Sequence, residues 1–133
     1  MKTIRVVDKV FEIFIPSDKI QKRVQQLADE LSWDYRDMNP VFLGILNGSF
    51  MFASDLFKKI TIDAQITFLK LASYQGTSST GSVKQLIGLN QDIAGQHVIV
   101  LEDIVDTGIT LDHIMRQLNG YQPASIKVVT LLF

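Results

Sequence analysis

Glu102, Asp103 and Asp106 set three carboxylates within five positions, directly behind the apolar run Val98-Ile99-Val100-Leu101. Ionised carboxylates this close repel one another, and a fold tolerates them where a cation or hydroxyl donors face them. Thr107-Gly108-Ile109-Thr110 follows at once and opens an amphipathic stretch. The first turn of a helix presents backbone N–H groups without intrahelical partners, and its dipole favours an anion such as phosphate. Gly108 lets the backbone come close to a ligand, and the two threonine hydroxyls add donors. Acids beside an anion cradle suit a ligand that carries hydroxyls or a metal ion together with a phosphate. A sugar phosphate has both.

The residues alone leave other readings open. Acids at a strand end can simply be solvated, since such loops are polar. Asp106-Thr107-Gly108 matches the active-site triplet of aspartic proteases, but those are all-β proteins and here an amphipathic helix follows. Clustered acids at a strand end also occur in phosphoacceptor receiver domains, where they are spread over more than one strand. His97 precedes a strand and His113 lies on the outer face of a helix, so the two make no metal pair.

The elements that must position these groups follow from hydrophobic periodicity, which switches along the chain between short apolar runs and a period near 3.6. Val10–Ile15 reads as a strand stopped by Pro16. Ser17 or Asp18 then caps a helix whose buried stripe is Ile20, Val24, Leu27, Ala28 and Leu31, fading near Trp33–Asp37. Asn39-Pro40 breaks the chain before Val41–Leu46, a run apolar on both faces that suits a central parallel strand. A helix at Phe50–Lys58 and a strand at Ala64–Leu71 follow. In Ala72–Val83, eight of twelve residues are Ser, Thr or Gly, a composition that predicts a mobile loop. Val83–Ile87 and His97–Leu101 are the next strands, and Leu111, Ile114, Met115 and Leu118 stripe a helix that ends at Asn119-Gly120. Ile126–Leu132 is the last strand.

This alternation predicts an α/β fold: one domain over residues 1–133, with a mostly parallel open sheet flanked by helices. Ligands of such sheets sit beyond the carboxyl ends of the strands. The two loops leaving buried strands there are Asn47-Gly48-Ser49 and Glu102–Thr110.

Composition narrows the partners. The 133 residues are 47% hydrophobic and 20% charged, ordinary for a globular domain, and 13 Lys+Arg against 14 Asp+Glu give a net charge of -1. No basic field is available for a nucleic-acid backbone. Cysteine is absent, which excludes a disulfide scaffold, a thiolate nucleophile and cysteine-bearing zinc sites, and fits a reducing cytoplasm. Apolar runs such as Val98–Leu101 fall far short of the roughly 20 residues that cross a bilayer, and the charged start is unlike a signal peptide, so no membrane partner is expected. Phe50-Met51-Phe52 with Leu56 and Phe57 is apolar over more than one helix face, which predicts contact with another subunit in a homo-oligomer, a dimer or tetramer. Trp33 reads as partial core or interface.

The stretch Val98–Thr110 resembles the phosphoribosyl pyrophosphate (PRPP) signature of type I phosphoribosyltransferases. Leu46-Asn47-Gly48-Ser49-Phe50 resembles the pyrophosphate-binding loop of the hypoxanthine-guanine branch, and Ser73-Tyr74 followed by Ser79-Thr80-Gly81 resembles its mobile lid. The three features stand in the family's order. The resemblance implies magnesium-dependent transfer of phosphoribose from PRPP to a 6-oxopurine base, giving IMP or GMP and pyrophosphate. It implies that Glu102 and Asp103 hold the ribose hydroxyls and position Mg²⁺ indirectly. Asp106 is then the base or hydrogen-bond partner at the purine's imidazole nitrogen, and Asp106, Thr107, Gly108, Ile109 and Thr110 surround the 5′-phosphate. Asn47, Gly48 and Ser49 receive pyrophosphate, and Tyr74 helps the lid exclude water. Many members carry a basic residue where Asn47 stands, so charge for the pyrophosphate must come from magnesium or a neighbouring subunit. The family also continues past the last strand with residues that hold the purine. The chain is therefore expected to hold the PRPP half of the site and to lack most of the purine-binding segment, and a non-catalytic PRPP-binding protein on the same fold is the alternative.

Overall fold

Residues buried on both sides of a strand are apolar without alternation, and Val41–Leu46 has this character: its first five residues are buried and the sixth is half-buried. In the computed structural model, which describes residues 3–6, 9–12, 17–46, 48–75, 82–87, 92–104 and 109–132, this strand is the middle of the main sheet. The elements run β1 (Thr3–Val6), β2 (Lys9–Glu12), α1 (Ser17–Asp34), β3 (Val41–Leu46), α2 (Phe50–Lys58), β4 (Gln65–Gln75), β5 (Ser82–Ile87), β6 (His97–Ile104), α3 (Ile109–Asn119) and β7 (Ser125–Leu132). The five-stranded sheet has the order β5-β4-β3-β6-β7. β4, β3, β6 and β7 are parallel, and β5 returns antiparallel beside β4. The mostly parallel α/β sheet expected from periodicity is therefore the observed one.

The connections leave β3 and β6 in opposite directions along the sheet, and with right-handed crossovers this puts their helices on opposite faces. The two cores follow that division. On one face α1 and α2 bury Val24, Leu27, Leu31, Phe52 and Leu56 against Phe42, Ile99, Leu101 and Val129. On the other, α3 buries Ile114 and Leu118 against Val41, Leu43, Ile45, Val98 and Val100. The predicted stripes of α1 and α3 are the residues that face these cores, with Ile20, Leu111 and Met115 partly buried at their margins.

Of the strand expected over Val10–Ile15, residues 10–12 lie in β2, which pairs antiparallel with β1 from Thr3↔Glu12 to Val6↔Lys9 as a separate two-stranded sheet, and residues 13–15 lie outside the described residues. Two boundaries differ from the sequence expectation. β6 runs on to Ile104, because its pairing with β7 continues through Glu102↔Thr130 and Ile104↔Leu132. β4 continues to Gln75 where a loop was expected from Ala72, since Ser73↔Lys84 and Tyr74↔Val83 pair it with β5. In each case ladder hydrogen bonds override local composition. Trp33 is 67% exposed rather than partial core, with the Arg36 guanidinium 3.9 Å from its ring centroid. No described helix is long and apolar enough to cross a membrane.

Gly44 is the residue that lets α2 and β4 close over β3. A Cβ there would stand 2.7 Å from two ring atoms of Phe68 and 3.3 Å from the Cβ of Ala53 on α2. Ala53 is fully buried and Phe68 packs half-buried against the same core, so the added Cβ would force the Phe68 ring to shift. Gly44→Ala is expected to lower stability by about 1–3 kcal/mol through overpacking, read as a reduced denaturation midpoint with an unchanged slope.

Candidate active site

The split direction of the two crossovers makes the boundary between β3 and β6 a topological switch point, where open α/β sheets bind ligands at the carboxyl ends. The pairing shows the crevice directly. β3 and β6 are in register from Val41↔Val98 to Gly44↔Leu101, where their ladder ends. β3 nevertheless stays paired with β4 to Leu46↔Lys70, and β6 stays paired with β7 to Ile104↔Leu132. The sheet thus divides in two at its carboxyl edge. One half carries the corner into α2, the other the junction into α3.

The corner into α2 is tightly held. Gly48 is exposed in the turn, while Ser49 is fully buried. The Ser49 backbone N–H donates to the Ile45 carbonyl at 3.2 Å, and the Ser49 hydroxyl donates to the same oxygen. A serine at a helix N-cap ordinarily accepts a bond from an amide of the first turn. Ser49 makes no such bond, so its side chain does not occupy the amino end of α2. The Ser49 carbonyl accepts the Ala53 N–H at 2.8 Å, which starts the helix. Both donors of Ser49 being held by Ile45, its place is to shape the corner. Exposed Gly48 and the first turn of α2 are what this corner offers an anion. The inward turn of the hydroxyl had no signature in the sequence, where Asn47-Gly48-Ser49 reads as a polar loop. Asn47 itself lies outside the described residues.

On the other half, Glu102 and Asp103 belong to β6 and not to the loop after it. Glu102 is half-buried and takes part in side-chain or backbone interactions, as does its strand partner Thr130. Strand alternation puts position 102 on the sheet face of Val100, which is the α3 face. Strand geometry fixes a carboxylate at such a position far better than a loop does. Ile109 and Thr110 begin α3, while Asp106, Thr107 and Gly108 lie outside the described residues. Ser73 and Tyr74 lie in β4 beyond the level of Leu46, on the part of the β4–β5 hairpin that projects past the carboxyl edge of β3.

Glu102 and Asp103, in a chain without cysteine, are oxygen donors of the kind that a hard cation such as magnesium takes. Among the described residues no group of three His, Cys, Asp or Glu side chains could hold an ion. Magnesium keeps several waters and is bound through one or two carboxylates plus substrate phosphates, which half-buried Glu102 beside Asp103 at the crevice can support. The histidines take no part. His97 Nδ1 is 2.7 Å from Ser125 Oγ at the amino end of the sheet, and His113 is exposed on α3. Recesses of about 330 and 320 Å³ also lie at that amino end, lined by Arg36, Thr61 and Ile62, remote from both junctions.

Residues 16–133 match the phosphoribosyl transferase domain family. The chain is 39% identical over 126 residues to the hypoxanthine-guanine-xanthine phosphoribosyltransferase of Tritrichomonas foetus, covering 95% of this chain and 69% of that protein. It is 35% identical over 122 residues to the hypoxanthine-guanine phosphoribosyltransferase of Bacillus subtilis, covering 91% and 68%. A crystal structure of a Staphylococcus aureus hypoxanthine phosphoribosyltransferase superposes with a TM-score of 0.76 at 36% identity, over 90% of this chain and 65% of that one. The chain thus spans about two thirds of the length of these relatives. Motif, crevice and backbone agree, and the chain belongs to the phosphoribosyltransferase family, in its hypoxanthine-guanine branch.

Proposed function

We propose that the chain transfers the 5-phosphoribosyl group of PRPP to hypoxanthine or guanine, giving IMP or GMP and pyrophosphate. The observation that carries this reading is the crevice itself: Glu102 on one half of the divided sheet, the uncapped amino end of α2 on the other, and the start of α3 beside them. The relatives' names support the same reaction.

In the transfer the bond from C1′ to pyrophosphate oxygen breaks and a bond from C1′ to the purine imidazole nitrogen forms. Positive charge develops on the ribose and negative charge on the leaving group. Glu102 and Asp103 hold the ribose hydroxyls, and their carboxylates tolerate the cationic sugar. Asp106 accepts the proton released from the imidazole ring. The 5′-phosphate sits among residues 106–110, against the first turn of α3. Pyrophosphate departs toward Asn47, Gly48 and the first turn of α2. Glu102 and Asp103 would hold Mg²⁺ indirectly, and the ion would supply charge neutralisation for the leaving group. Water would capture the ribosyl cation. The β4–β5 hairpin, which carries Ser73 and Tyr74, runs five residues past Leu46, roughly 17 Å at strand rise, and serves as the cover. The cysteine-free composition fits a cytoplasmic location. Phe50 and Met51, 51% and 68% exposed beside the corner, support a homo-oligomer built on α2.

Initial rates with PRPP and Mg²⁺, offering hypoxanthine, guanine, xanthine and adenine separately, test the reading. Turnover with a 6-oxopurine and its loss on chelation of Mg²⁺ are expected. Magnesium-dependent PRPP binding with no transfer to any base would instead identify a PRPP-binding protein. Asp106→Asn should reduce turnover by about 10²–10⁴-fold with little change in PRPP affinity, and a variant that turns over normally removes Asp106 from the proton transfer. Met51→Lys should shift the sedimentation coefficient toward that of a monomer, and an unchanged value puts the subunit contact elsewhere.

A further inference from the structure

The leaving pyrophosphate is a concentrated anion, yet neither Asn47-Gly48-Ser49 nor Phe50-Met51-Phe52 carries a positive charge. Backbone amides and a helix dipole supply only partial charges. Lys70 stands where a full charge is lacking. In the register of the sheet it is the partner of Leu46, the last residue of β3 before the corner. Neighbouring strands are about 4.8 Å apart, so the lysine backbone lies one strand spacing from the point where the chain turns toward α2.

The face is settled by its neighbours. Leu69 is buried in the core beneath α3, whereas Phe68 packs against the core beneath α1 and α2. Alternation returns Lys70 to the α2 face. The Phe68 ring meets that of Phe50, the first residue of α2, with centroids 5.9 Å apart. Lys70 is the next residue toward the carboxyl edge on that same face. Its side chain is exposed, and no ion pair ties it to a carboxylate among the described residues. A flexible stem ending in a compact ammonium suits a charge that must follow a departing phosphate group.

We propose that Lys70 is a pyrophosphate-binding residue, supplying from the neighbouring strand the positive charge that the corner and the first turn of α2 lack. The proposal rests on the phosphoribosyl-transfer reading. It assigns Lys70 to the leaving group and not to the 5′-phosphate, which sits at the start of α3 on the other half of the sheet.

Calorimetric titration with magnesium pyrophosphate, PRPP and ribose 5-phosphate, at low and high salt, tests it on Lys70→Gln and Lys70→Arg. Lys58→Gln, which removes an exposed charge from the opposite end of α2, is the control. Lys70→Gln is expected to weaken pyrophosphate and PRPP roughly five- to ten-fold at low salt, less at high salt, as for loss of a charged hydrogen bond near the surface. Ribose 5-phosphate should bind as before, and Lys70→Arg should recover most of the loss. Unchanged pyrophosphate affinity in Lys70→Gln, an equal loss in Lys58→Gln, or an equal loss for ribose 5-phosphate each overturns the assignment while leaving the transferase reading standing. A parent chain that binds neither PRPP nor pyrophosphate overturns both.

Discussion

The parting of β3 from β6 after Gly44↔Leu101 is the constraint on which the rest depends. Up to that pair, two strands buried on both faces share one continuous ladder and hold the middle of the sheet rigid. Beyond it each strand keeps only its outer neighbour, and the divided edge becomes the place where a ligand can enter between the chain's two junctions. Crossovers that run in opposite directions from adjacent parallel strands produce this geometry without any special residue at the gap. A rigid scaffold beneath and an open edge above are two consequences of one topology.

The corner into α2 leaves the amino end of a helix free at this edge. Gly44 allows Phe68 and Ala53 to close over β3, so α2 starts close against the sheet. Ser49 then gives both of its donors to Ile45 and leaves the amino end of its own helix uncapped by its side chain. A hydroxyl that capped the helix would compete with the ligand for the same amides. Turned inward, it stiffens the turn and satisfies its own polarity in a fully buried position.

Electrostatics divides between the halves in the same way. Glu102 and Asp103 stand at the end of β6 on one half, while the start of α2 on the other half presents backbone amides that no side chain caps. Net charge near zero is consistent with this separation, because the fields required are local and of opposite sign. Lys70 stands beside the corner into α2 on β4, the strand whose Phe68 also packs against Phe50 at the start of that helix.

Much of this was legible before any coordinates. Val41–Leu46, Phe50–Lys58 and the stripes of α1 and α3 could be read from period and burial pattern because local hydrophobicity determines which side of an element faces a core. The acids and the Thr-Gly-x-Thr helix start could be read because their chemistry is carried by residue type and spacing. What the sequence could not decide were properties set by partners distant in the chain. Glu102 and Asp103 lie in a strand because β7 continues the ladder beside them, and Ser73 and Tyr74 do so because β5 folds back on β4. The inward turn of the Ser49 hydroxyl and the station of Lys70 beside Leu46 depend on tertiary register, which no local pattern encodes. Residue types determined which groups could act; only the pairing of strands decided which of them stand together.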